Sequence, residues 1–282
     1  MPVPSRVMSI VPTITLNNGR AMPQLGFGVW RVSDDEAVAA VGEALRVGYR
    51  SIDTASLYRN ESGVGRALAD SGLPRGDVFL TTKLGNPDHG YDAALRAFDE
   101  SLQRLGTDYV DLYLIHWPQP NRDQYVNSWR ALQRIYADGR ARAIGVSNFT
   151  ERHLTRLADE TDIVPAVNQI ELHPYLAQRE MRAFHADHGI ATQGWSPLGR
   201  GGALLADPVI TALAQKYQRS AAQVVLRWHL QSGTIVIPKS VTPSRIAENL
   251  DVFGFELADD DMVGIDELDR DGRLGSHPDD VG

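Results

Sequence analysis

Short apolar runs, too uniformly hydrophobic to leave one face in water, alternate with amphipathic stretches through most of this 282-residue chain. The runs begin near Phe27, Tyr49, Val78, Tyr109, Ala141, Ala166, Ala191 and Thr234. Between and after them, apolar residues at helical spacing mark Asp34–Val47, Gly63–Asp70, Tyr91–Leu105, Asp123–Ala137 and Thr150–Asp159. The pattern continues over Gln178–His188, Pro208–Tyr217, Ala221–Leu230 and Pro243–Leu250. A strand apolar on both faces needs helices on both sides, which is the condition of a parallel sheet. Eight such strands in a chain of this length predict an α/β fold, a (β/α)8 TIM barrel rather than a doubly wound sheet. Ahead of them, Thr13–Leu16, Asn17-Asn18-Gly19 and a return to Met22 predict an N-terminal β-hairpin. No Gly/Ser/Pro-rich linker interrupts the chain, so residues 1–282 read as a single domain. The polar segment from Asp269 to Gly282 is expected to lie as a loop over one face.

In a barrel of this kind the loops after the strands gather at one rim. Asp53, Tyr58, Lys83 and His116 all fall just past the second, third and fourth predicted strands. Neighbouring strands lie about 5 Å apart, so these side chains can converge. Together they form a proton relay: an ammonium lowers the pKa of a nearby phenol from its usual value of about 10, and a carboxylate keeps the ammonium charged. Singly, each has a plain structural reading as strand-end cap, half-buried aromatic, solvated lysine or core histidine.

A second cluster follows the eighth run: Lys239, Ser240, Val241, Thr242, Arg245, Glu248 and Asn249. Pro243 suits a first helical turn, whose free amides favour an anion, and two cations stand beside it. Phosphate site and ordinary capped helix are equally good readings of these residues alone. The strand ends Gly145-Val146-Ser147-Asn148, Val167-Asn168-Gln169 and Gly194-Trp195-Ser196-Pro197-Leu198-Gly199 bring amides, a hydroxyl and an indole to the same rim. Trp195 could stack on an aromatic ring or merely pack on its neighbours. No G-x-G-x-x-G is present; Gly63-Val64-Gly65-Arg66-Ala67-Leu68 lacks the last glycine, so any dinucleotide would bind in a non-Rossmann manner.

The net charge of −8 and pI near 5.5 argue against nucleic acid or an anionic membrane as partner. With no cysteine, disulfides and thiol chemistry are excluded, and a cytoplasmic location is expected. Met1 to Ser9 holds two prolines and no apolar segment, so no signal peptide is expected there.

Four runs carry a resemblance: Gly48-Tyr49-Arg50-Ser51-Ile52-Asp53-Thr54-Ala55, Asp111-Leu112-Tyr113-Leu114-Ile115-His116-Trp117-Pro118, Gly145-Val146-Ser147-Asn148-Phe149 and Ile237-Pro238-Lys239-Ser240. With them the chain resembles the aldo-keto reductases over nearly its whole length. The bacterial branch that includes 2,5-diketo-D-gluconate reductases is the most similar. The resemblance implies a hairpin capping the bottom of the barrel and NADPH-dependent reduction of a small-molecule carbonyl substrate by a monomer. By position, it makes Tyr58 the general acid, tuned by Lys83 and Asp53, with His116 orienting the carbonyl oxygen. Ser147, Asn148 and Gln169 would clamp the nicotinamide carboxamide, Trp195 would stack on the ring, and Ser196, Pro197, Leu198 and Gly199 would cross the pyrophosphate. Lys239, Ser240 and Arg245, with Val241 and Thr242 between them, would hold the 2′-phosphate, with Glu248 and Asn249 near adenine. Trp30 and Trp117 would wall the substrate pocket. Gly85 stands where many relatives carry tryptophan, Arg59 where a glycine is common, and the loop Gln119–Gln124 is short, so a roomy pocket is expected. Rival readings are a Schiff-base aldolase using Lys83 and a subunit that senses NADPH without turnover. A metal site at His185 and His188 lacks a third ligand.

Overall fold

The computed structural model describes residues 11–281, so the expectation about Met1 to Ser9 lies outside the described residues. An antiparallel hairpin comes first, β1 (Thr13–Thr15) and β2 (Ala21–Pro23), with Ile14 opposite Met22. Gly19, at φ 80°, takes the left-handed turn conformation that a side chain would resist. Eight strands follow: β3 (Phe27–Gly28), β4 (Ser51–Asp53), β5 (Phe79–Leu84), β6 (Leu112–Ile115), β7 (Ile144–Ser147), β8 (Val167–Glu171), β9 (Ala191–Trp195) and β10 (Ile235–Val236). Each pairs in parallel with its successor. The sheet curls until its edges meet: Val236 N donates to Gln24 O at 2.9 Å, and Gly26 N to Val236 O at 2.8 Å. That junction is tight, since a Cβ on Gly28 would sit 2.9 Å from the Ile237 carbonyl oxygen.

The helices are α1 (Asp34–Val47), α2 (Glu61–Asp70), α3 (Tyr91–Leu105), α4 (Tyr125–Ala137), α5 (Glu151–Glu160), α6 (Arg179–Asp187), α7 (Pro208–Tyr217), α8 (Ala221–Gln231), α9 (Pro243–Leu250) and α10 (Asp259–Asp266). Their logic is local as well as tertiary. In α1, Ser33 accepts from Glu36 N while the Glu36 carboxylate accepts from Ser33 N, a reciprocal capping box. The same helix buries Ala37, Ala40, Val41, Ala44 and Leu45, the stripe that a 3.6-residue period produces. Strand β6 is buried along its whole length, which is why its sequence reads as unbroken apolar character.

The structure differs from expectation at several helix bounds and in one added helix: α2 starts at Glu61, two residues before Gly63, α5 runs one residue later at both ends, and α8 extends one residue to Gln231. Helix α4 starts at Tyr125 rather than Asp123, because Asp123 is left-handed (φ 52°) and closes a separate short turn over Pro120–Arg122. Helix α6 likewise starts one residue late, after a left-handed Gln178. Helix α10 was not expected at all.

The hairpin sits at the strands' N-terminal ends. Asn17 and Asn18 donate to the carbonyls of Pro165 (3.1 Å) and Arg142 (3.0 Å), just ahead of β8 and β7. Leu16 and Met22 pack on Leu112, Leu114, Ala143 and Val167. The opposite rim is left open. Among the described residues, no helix is long and apolar enough to cross a membrane.

Candidate active site

At the open rim, three adjacent strands deliver the first constellation. Asp53 ends β4, Lys83 lies near the end of β5 beside Leu114, and His116 follows β6. Tyr58 closes a short helical turn, Ser56–Tyr58, that is pinned to β5 by Ser56 Oγ donating to Lys83 O at 3.1 Å. The turn stops at once because Arg59 is left-handed, at φ 56°.

Lys83 is fully buried and Asp53 is 2% exposed. The ammonium donates to Asp53 Oδ1 at 2.5 Å, Thr54 O at 3.0 Å and the Tyr58 hydroxyl oxygen at 3.4 Å. Three N–H groups thus meet three acceptors, which lets a buried lysine stay charged. Burial pushes the lysine down, but Asp53 and then Tyr58 outweigh it, and its pKa ends above the usual value. The phenol does not behave as the sequence suggests. Burial pushes Tyr58 up, Lys83 pulls it back only in part, Asp53 adds to the rise, and the net pKa lies above 10. His116 packs edge-on against Tyr58, with ring centroids 5.5 Å apart. Burial and the Lys83 charge hold its pKa well below 6.5, so the imidazole is neutral.

The cluster adjoins a cleft of about 1200 Å³. Asp53, Tyr58, His116, Trp30 and Trp117 line it together with Ser147, Asn148, Gln169, Trp195, Ser196, Pro197 and Leu198. Lys239, Ser240, Arg245, Glu248 and Asn249 belong to the same lining. Lys83 stands behind this wall, and Gly199, Val241 and Thr242 are not part of the lining. Trp195 is held in plane by its Nε1 donating to Asn148 Oδ1 at 2.8 Å. Asn148 in turn donates to His116 O (2.9 Å) and Ser147 Oγ (3.1 Å), and Ser147 Oγ donates to Gln169 O (2.8 Å). Gln169 also donates to Asp53 Oδ2 at 2.7 Å, which links the amides lining the cleft to the Lys83 ion pair.

Lys239 and Arg245 are exposed and, among the described residues, form no ion pair. They flank the N-terminus of α9, whose Thr242 makes no side-chain cap bond. Free amides and two unpaired cations are a donor set that fits a phosphate monoester, and the fixed indole with amides beside it fits a planar carboxamide-bearing ring. His185 and His188 do not share a site: His185 is buried between Asn168 and Thr192, while His188 stacks on Phe184.

Sequence reasoning missed Arg31 and Arg200, which line the cleft and sit 4.3 and 5.0 Å from the Trp30 ring. It also missed Leu57 and the tail residues Leu274, Gly275 and Ser276. The tail is held down by the buried carboxylate of Glu171, which accepts from Leu274 N (2.7 Å) and Gly275 N (2.8 Å). Arg31 has a signal, following Trp30 directly; the tail's polar composition signals a loop over one face, but not its contact with the cleft, because its anchor lies 103 and 104 residues away.

The Aldo/keto reductase family profile matches residues 22–270. An aldo-keto reductase of Mycolicibacterium smegmatis is 58% identical over 267 residues, spanning 95% of this chain and 97% of that one. The methylglyoxal reductase DkgA of Escherichia coli K12 is 51% identical over 270 residues, spanning 95% and 98%. Among solved structures, a Gox0644 mutant in complex with NADPH superposes with a TM-score of 0.93 at 52% identity, covering 96% of this chain and 99% of that one.

Proposed function

The chain belongs to the aldo/keto reductase family, and it is an NADP(H)-dependent oxidoreductase; we propose that it reduces aldehyde or ketone carbonyls to alcohols with Tyr58 as proton donor. Bound NADPH supplies the hydride. Tyr58 and His116 face the cleft together and would receive the carbonyl oxygen between them. His116 Nδ1 is buried without a partner, so the proton of the neutral ring is better placed on Nε2, where it can donate to that oxygen. A phenol whose pKa lies above 10 holds its proton at neutral pH and is available to give it. Once it has done so, the tyrosinate faces an ammonium 3.4 Å away. Lys83 therefore acts on the charge that develops during transfer, a stabilisation that counts in the transition state rather than the ground state.

The carboxamide would be met by Ser147, Asn148 and Gln169 and the ring by Trp195, with Ser196 to Gly199 along the pyrophosphate. Lys239, Ser240 and Arg245 would take the 2′-phosphate, with Val241 and Thr242 opening α9, and Glu248 and Asn249 beside adenine. We read residues 1–282 as one domain, a closed (β/α)8 barrel with the hairpin over its lower end. The observation that carries the reading is Lys83 bonded to both Asp53 and Tyr58, two residues that line one cleft with the unpaired cations Lys239 and Arg245.

Relatives named methylglyoxal reductase and glyoxal reductase support small dicarbonyls as substrates. So does the open mouth between Trp30, Trp117, Leu57 and Leu274. Following NADPH absorbance against methylglyoxal, a keto sugar and an aromatic aldehyde tests this; consumption with none of them would overturn it. The aldolase reading predicts a borohydride-trapped adduct on Lys83. The raised pKa and three occupied N–H groups of that lysine support the opposite outcome, no adduct.

A further inference from the structure

We propose that Gln193, which lies outside the cleft lining and whose side chain hydrogen-bonds to Gln169, is a positioning residue that locks Gln169 in the rotamer from which it both braces Asp53 and meets a nicotinamide carboxamide. The proposal rests on the reading of Gln169 as a carboxamide contact. It starts from an amide whose orientation chemistry determines. Asp53 Oδ2 lies 2.7 Å from Gln169, and a carboxylate oxygen only accepts, so the Gln169 group facing it is the NH2. The second N–H of that group is spent on Gln193 Oε1 at 2.8 Å. Only Gln169 Oε1 remains, on a residue that lines the cleft, to accept from a ligand N–H.

The same logic then determines Gln193. Turning its amide would set NH2 against NH2, so its oxygen must face Gln169. Its own Nε2 is thereby stranded: Gln193 is fully buried, and that nitrogen has no hydrogen-bond partner among the described residues. A buried donor without an acceptor is unfavourable, and methionine would fill the space without one. What the glutamine contributes is its carbonyl. Gln193 and Gln169 are paired Cα partners across β9 and β8, so the two side chains leave the sheet side by side. The chain of contacts runs Gln193, Gln169, Asp53, Lys83, Tyr58, and every link is a hydrogen bond. Docking of the nucleotide ring and poise of the proton donor are thus set through one amide.

The test compares two variants in binding and stability, not turnover alone. Gln193→Met removes the acceptor and the stranded donor together. Its melting temperature should hold or rise, while NADPH affinity, by fluorescence titration, falls about tenfold, the worth of one well-placed hydrogen bond. Affinity for 2′,5′-ADP, which carries the phosphate but no nicotinamide, should stay within about twofold on the same grounds. Gln193→Glu restores an acceptor oxygen and should recover NADPH affinity. Unchanged NADPH affinity in Gln193→Met would overturn the proposal. So would equal losses for both ligands with a fallen melting temperature, the signature of a merely structural role, or a failure of Gln193→Glu to recover binding. If instead Tyr58→Phe turned over normally, the proton-donor reading would fail while this binding pattern stood.

Discussion

A buried ammonium survives only when every N–H finds an acceptor, and Lys83 finds three. The sequence anticipated that these four residues would lie together but gave the wrong direction for the phenol, because it cannot show how much burial a phenol undergoes. Depth, not the neighbouring charge, dominates Tyr58. Removing the charge should therefore leave a phenol that keeps its proton too firmly. Lys83→Met is predicted to cut turnover by two or more orders of magnitude, about the share of a general acid, while NADPH affinity stays close to wild type; turnover within tenfold would contradict the role. Lys239 and Arg245 offer a separate test. Neutral replacement of Lys239 or Arg245 should weaken NADPH by about 1.5–3 kcal/mol, a charge-assisted contact, and leave NADH nearly unaffected. Equal losses in fluorescence titration would remove the phosphate assignment.

Elements were legible where one rule decided them. Each barrel strand begins within three residues of the start of a predicted run, because a strand covered on both sides is largely apolar, with buried polar residues such as Lys83 and Gln169 admitted where they are hydrogen-bonded. Helices α1, α3, α7 and α9 have the bounds their periodicity predicts. Helix α10 escaped notice because Asp259-Asp260-Asp261-Met262-Val263-Gly264 has little apolar stripe, and Ile265 is its one buried residue. Left-handed non-glycine residues shifted two other boundaries. The tail was legible as a loop over one face, but not which face, since a polar loop held by a remote carboxylate leaves no local pattern of its anchor. Helix packing gives a sharp test. A Cβ on Gly63 would lie 1.9 Å from Asp34 O, so Gly63→Ala forces α2 off α1 and should cost 2 kcal/mol or more, roughly the penalty of overpacking. Gly42, inside α1, has nothing within 4 Å of the same position. Gly42→Ala should stabilise by about 0.5–1 kcal/mol. Comparable melting temperatures for the two variants would contradict the packing described.

On the scale of the whole molecule, the fold buries several histidines in neutral form. Burial lowers His89, His153 and His185 to about 4 and His229 to about 3, and His116 lies well below 6.5. The unfolded chain takes up protons near pH 6.5, where the folded protein does not. Stability is therefore fully present above pH 6.5 and is lost as pH falls from there toward 4, at up to about 1.4 kcal/mol per pH unit for each histidine. Urea midpoints should drop steeply between pH 6.5 and 5; a flat profile would mean that these rings are not buried as described. Activity reads the same architecture at one atom. The most direct test of the account is Tyr58→Phe, assayed side by side for NADPH affinity and for NADPH consumption with methylglyoxal. Affinity should stay within about twofold of wild type while turnover falls by about three orders of magnitude, the middle of the range for loss of a positioned acid. Turnover near the wild-type rate would contradict the account.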